Sequence, residues 1–204
     1  MLEYRVLVGG LVAVTLFSGF ALSSSSAAAE TYTRDALVRV SSACTMTGGV
    51  SDLHTRSVPI ATYASDIGET TLSTVCNDNG GFAVYAIGYT GNVDGTNTLV
   101  HGTNSNKTIA TGLTTSGNVS SWAMRLAAVQ NGGSTPTIEN GYSSYSVVPN
   151  SYIKVVSYSS ATALNTSVSF KTYYAVYVSP TQAAGTYTGQ VKYVLVHPSA
   201  ATPS

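Results

Sequence analysis

The sequence predicts an all-β fold: one antiparallel sandwich closed by a single disulfide and preceded by a secretion signal. Three observations predict it. Apolar side chains recur at every second position in several separate runs, Gly/Asn/Asp clusters punctuate those runs, and two cysteines follow a segment that reads as an export signal. At 204 residues and 21.0 kDa the chain has room for one large domain. Charged residues make up only 9% of it and cancel to a net charge of zero, against roughly 25% in an average soluble domain. A neutral chain lacks the basic surface that phosphate recognition needs, so no nucleic-acid partner is expected. Its 14 tyrosines argue equally against an acidic disordered tail. Polarity comes instead from 28 Ser and 27 Thr, together with 19 Gly.

Residues 1–29 read as a signal peptide. Arg5 precedes an apolar run from Val6 to Leu22, and four serines and Ala27, Ala28 and Ala29 then form a small-residue cleavage site before Glu30. The alternative is a retained anchor, because the run is close to the lower limit of about 17 residues for crossing a bilayer. Gly9, Gly10, Gly19 and the serine-alanine end favour cleavage near Glu30, and no stable membrane span is expected after the signal is removed. The segment contains Glu3 and Arg5, so the remainder stays balanced. Export places Cys44 and Cys76 where disulfides persist. Two cysteines permit one pairing, and closing a loop of about 30 residues adds about 3 kcal/mol.

The strands follow in order. Phe82, Val84 and Ala86 share one face of a run, as do Trp122, Met124, Leu126 and Ala128 of another. The second run is rich in helix formers, but it is too short for a helix to stand alone, and a strand is expected. In Ser167–Ser179, Val168, Phe170, Tyr174, Val176 and Val178 fall on one face; Lys171, Tyr173 and Tyr177 fall on the other. In Tyr187–Val196, Val191, Tyr193 and Leu195 alternate with Gln190, Lys192 and Val194. Turn-forming clusters stand at 77–81, 91–95, 131–133 and 183–185. Gly102–Gly117 and Gln130–Ser146 read as loops. Residues 30–198 are therefore expected to form a single β-sandwich domain, and residues 199–204 a flexible tail.

Ala36-Leu37-Val38-Arg39-Val40-Ser41-Ser42-Ala43-Cys44-Thr45-Met46 resembles the first strand of secreted bacterial pilin-like sandwiches of the spore coat protein U and chaperone-usher fimbrial type. Leu72-Ser73-Thr74-Val75-Cys76, followed by Phe82-Ala83-Val84-Tyr85, matches the second cysteine position of that group. The segment from Ala184 to Tyr193 is similar to its glycine-tyrosine hairpin before the last strand, while Asn97 to Asn165 is unmatched. The resemblance implies an immunoglobulin-like, pilin-like sandwich and an extracellular structural or adhesive role. Sandwiches of that kind accept a strand from a neighbour. Only Glu30 to Asp35 precede the first strand here, short for a donated extension. The expectation is a self-complete sandwich that uses its middle region and assembles weakly if at all.

Catalytic patterns are absent from the sequence. His54, His101 and His197 accompany no G-x-S-x-G elbow. Asp52, Asp66, Glu69, Asp78, Asp94 and Glu139 read as turn residues rather than as a glycosidase pair. Asn77–Asn79 and Asn92–Asn97 are oxygen-rich, but the second lacks the acid at the twelfth position of a calcium loop, and turns account for both. Neither cofactor nor metal is expected. Three sequons, at Asn106, Asn118 and Asn165, are no more than this Ser/Thr/Asn content brings by chance. Tyr173 and Tyr177 are the candidate binding surface: two rings on the outer face of one strand, suited to stacking on a sugar or anchoring a protein. The competing reading is that a loop or second sheet covers them. Together these features point to a non-catalytic secreted cell-surface or pilus-like structural protein capable of self-association. The alternative is an adhesin-type module that recognises a glycan or protein partner through tyrosines and loops.

Overall fold

Alternating apolar runs in this chain can bury their inward faces only against another sheet, and that is how they are disposed. The computed structural model describes residues 43–48, 57–90, 93–130, 135–162, 166–198 and 200–204. The signal segment 1–29, most of the expected first strand, Asp52, His54, Asn92 and Asn165 lie outside the described residues. Along the chain the strands are β1 (Cys44–Gly48), β2 (Thr62–Ala64), β3 (Glu69–Cys76), β4 (Phe82–Thr90), β5 (Val93–Asp94), β6 (Leu99–His101) and β7 (Asn104–Thr111). They continue with β8 (Ser121–Val129), β9 (Thr137–Ile138), β10 (Ile153–Tyr158), β11 (Val168–Val178), β12 (Tyr187–Thr188) and β13 (Gln190–Val196). Among the described residues there is no helix, and hence none long and apolar enough to cross a membrane.

The fold is an all-β sandwich with the Cys44–Cys76 disulfide in place. One sheet runs β1-β3-β11-β8-β7-β6-β12, and β2 pairs with β11 beyond the end of β3. The other runs β13-β4-β10-β9, with β5 on β4. The longest strand, β11, is central: Ser169–Tyr177 pair with β8, Val168–Tyr173 with β3, and Val176–Val178 with β2. Its inward residues Val168, Phe170, Tyr174 and Val176 meet Phe82, Val84 and Ala86 of β4 in one core. Phe170 and Tyr193 rings from opposing sheets lie 6.2 Å apart at a steep angle. On β10 a bulge between Lys154 and Val156 turns both Val155 and Val156 inward, each fully buried.

Three local expectations change. Gly102–Gly117, expected as a loop, contains β7, whose one buried residue is Ile109. The second expected loop, 130–146, contains β9. Sheet pairing, not apolar alternation, holds both. The last run is not a continuous hairpin strand: Tyr187–Thr188 pair with β6 of the first sheet, and Gln190–Val196 with β4 of the second. The chain changes sheets at Gly189, where a Cβ would lie 2.7 Å from Leu99 Cδ2. Among the described residues all ladders are antiparallel except that of β7 and β8, which is parallel over Ala110↔Ser121 and Thr111↔Trp122. Residues 112–120 therefore project from the sheet and return, tied by Gly112 N–H donating to Trp122 O (2.8 Å) and Ser121 Oγ donating to Thr114 O (3.0 Å).

Candidate functional site

Two surfaces bear on function: the side of the sandwich along β13 and the outer face of β11. Among the described residues β13 has β4 as its only ladder neighbour. Its inward residues Val191, Tyr193 and Leu195 pack on the core yet remain half-buried, whereas Val84 and Ala86 on β4 are fully covered. At the matching border of the other sheet, β1 places Met46 on the same core, also half-buried. The described core residues along this border are thus only partly covered. No unpaired charge on β13 guards it. Lys192, the one charge on β13, contacts both Asp94 carboxylate oxygens at 3.1 Å and lies 5.6 and 5.7 Å from the ring centres of Tyr89 and Tyr152. Tyr152 donates to Asp94 at 2.6 Å, and this bond, followed by Lys192, holds the carboxyl below its ordinary range.

On the outer face of β11 the two candidate tyrosines part company. Tyr177 is only 4% exposed, and its hydroxyl donates to Gly117 O at 2.7 Å, because the projecting segment 112–120 folds over it. Tyr173 is half-buried under Arg125, whose guanidinium carbon stands 4.0 Å from the ring centre. The open aromatic pair that strand alternation suggested is therefore one covered ring and one ring capped by a cation.

Their surroundings contain side chains that the sequence did not single out. Arg125 donates from Nε and Nη2 to Asp66 Oδ1 (3.1 and 2.8 Å), and Tyr145 donates to the same oxygen at 2.7 Å. The Tyr145 bond and then Arg125 keep the Asp66 carboxyl low despite partial burial. Burial, with the bond to Asp66, pushes the Tyr145 hydroxyl up to about 12, so it stays a donor. Next to this group lies a cleft of about 240 Å³, floored by β8 and β11 and walled by Tyr63, Tyr145 and the segment 112–115. Tyr63 is 40% exposed, on a three-residue strand bracketed by Ala61 (φ 58°) and Asp66 (φ 50°). Asp tolerates the left-handed region; Ala rarely enters it. A lone leucine in a hydroxyl-rich loop, Leu113, was the one sequence signal for this cleft.

Several of the remaining candidates that are described are engaged by surrounding structure. His101 pairs Nε2 with Ala184 O at 3.0 Å and stacks edge-on against Tyr187. Asn77 Oδ1 accepts from Ala43 N–H (2.6 Å), and Asp78 Oδ1 accepts from Gly80 N–H (2.8 Å). Asn97 donates from Nδ2 to Val148 O, and its carbonyl receives Trp122 Nε1–H, both at 2.9 Å. Among the described residues, no three His, Cys, Asp or Glu side chains converge as metal ligands would. No family model, curated protein or solved structure matches this chain.

Proposed function

We propose that the chain is a secreted structural protein of the bacterial cell surface, without catalytic activity, whose copies associate along the β13 border. The observation that carries this reading is a strand of seven residues that, among the described residues, has a ladder neighbour on one side only, a half-covered apolar face and one charge, itself matched by Asp94. Monomeric sheet proteins ordinarily blunt such an edge with free lysines, proline or a bulge. Here the seven-residue ladder to β4 is unbroken and contains no proline. A strand from a second copy would satisfy the backbone and cover Val191, Tyr193 and Leu195 together. The disulfide between β1 and β3 is compatible with an oxidising compartment.

Sedimentation velocity of the secreted chain, from micromolar to near-millimolar concentration, tests the reading. Self-association is expected in the parent. It should be lost in Val194→Lys, a change that places a free charge on the outward face of β13 with little effect on the thermal midpoint. A parent that stays monomeric throughout, or a Val194→Lys variant that associates equally well, would reject the β13 contact.

A further inference from the structure

We propose that the cleft between Tyr63, Tyr145 and the segment 112–115 is a binding site for a neutral saccharide ring. Its chemistry selects the ligand class by exclusion. Among the described residues no charged one lines it, and Asp66 at its border is already matched by Arg125 at 2.8 Å. An ionic ligand would enter without a counter-charge. A purely apolar ligand fails for the opposite reason. Among the described residues the hydroxyls of Tyr63, Thr114 and Thr115 have no hydrogen-bond partner, and covering them with hydrocarbon would strand all three. A peptide strand would need a free sheet edge, whereas the floor here is the face of β8 and β11, whose backbone pairs with each other.

A neutral sugar meets each demand. Its C–H face stacks on an aromatic ring, which the 40% exposed Tyr63 presents, and its hydroxyls both donate and accept, as those of Tyr63, Thr114 and Thr115 do. Two independent features mark the place. Of the seven large apolar side chains exposed among the described residues, Ile60, Tyr63, Leu113 and Val119 lie on the two segments that wall or adjoin the cleft. The strand that presents Tyr63 is bracketed by two of the three non-glycine residues with positive φ among those described, and backbone strain of this kind collects at ligand clamps. The Asp66–Arg125–Tyr145 group fixes the wall beside Tyr63 before any ligand arrives. The site lies on the sheet opposite β13, so it and the association contact succeed or fail separately.

The test is titration of the secreted chain, followed by amide NMR, with methyl glycosides of glucose, galactose, mannose and N-acetylglucosamine. Glucuronate serves as the charged probe and cyclohexanol as the apolar one, and an array of neutral and acidic glycans widens the search. At least one neutral glycoside is expected to shift amides at Tyr63 and in 112–115. Tyr63→Ala should weaken that binding about tenfold, the loss of one stacked ring. Thr115→Val, exposed and conservative, should weaken it a few-fold with the fold intact. No binding by any neutral glycan, equal binding of glucuronate or cyclohexanol, or a response indifferent to Tyr63→Ala would each overturn the proposal.

Discussion

Asp66 shows how one residue can carry both backbone shape and electrostatics. It occupies a left-handed turn (φ 50°), its N–H donates to the Tyr145 oxygen at 2.7 Å, and its carboxylate accepts from Tyr145 and Arg125. Both side-chain bonds favour the ionised form, so the folded carboxyl titrates below the unfolded one, near pH 4. The stabilisation is then fully present above about pH 4 and disappears as pH falls through the lowered folded value. With half of the Asp66 side chain in solvent, it amounts to less than about 1 kcal/mol. Urea unfolding in steps from about pH 7 to about pH 2 should show the parent losing more stability than Asp66→Asn across the acid limb. Parallel acid limbs would place the carboxylate's influence elsewhere.

At the scale of elements, β1 depends on its staple. Cys44 and Cys76 sit directly opposite each other in the β1–β3 ladder, and Asn77 N–H donates to Ala43 O at 3.1 Å beside them. Cys76 is fully buried, whereas β1 is at most half-buried. Replacing both cysteines with alanine should cost about 3 kcal/mol. The loss should be uneven: amide exchange at Thr45, Met46 and Thr47 should accelerate well before exchange in β8 and β11, which pair on both sides. Equal acceleration in all three strands would mean that β1 is not an independent edge. The strands legible from sequence were those whose own residues alternate, namely β4, β8, β11 and β13. β6, β7 and β9 were not legible, nor was the pairing of β12 with the other sheet, because these depend on partners: β7 buries little beyond Ile109, and β12 is two residues held by His101 and Val100. The same reason hid the cleft. Tyr63 owes its place to pairing with Tyr177 at the far end of β11, a contact across 114 positions of chain that no local pattern encodes.

Across the whole molecule, neutrality turns out to be pairwise. The described residues contain five acids and five bases; four of each meet in ion pairs, Asp66 with Arg125, Glu69 with Lys171, Asp94 with Lys192 and Glu139 with Lys154. Each pair is at least partly open to solvent, where screening leaves such a bridge little to contribute. With no net charge there is also no self-repulsion for salt to relieve. Stability should therefore rest on the buried apolar core, and the thermal midpoint should move little as NaCl rises from low ionic strength to about 1 M, where the screening length shrinks to about 3 Å. Association tests the same logic one level up. A contact made by the β13 backbone and the apolar faces of Val191, Tyr193 and Leu195 involves one charge that is already matched, so sedimentation at low and high salt should give the same association constant within about twofold. Apolar burial strengthens slightly with salt, so any drift should be toward tighter assembly. Marked weakening in NaCl would mean that copies meet through charged groups rather than through β13.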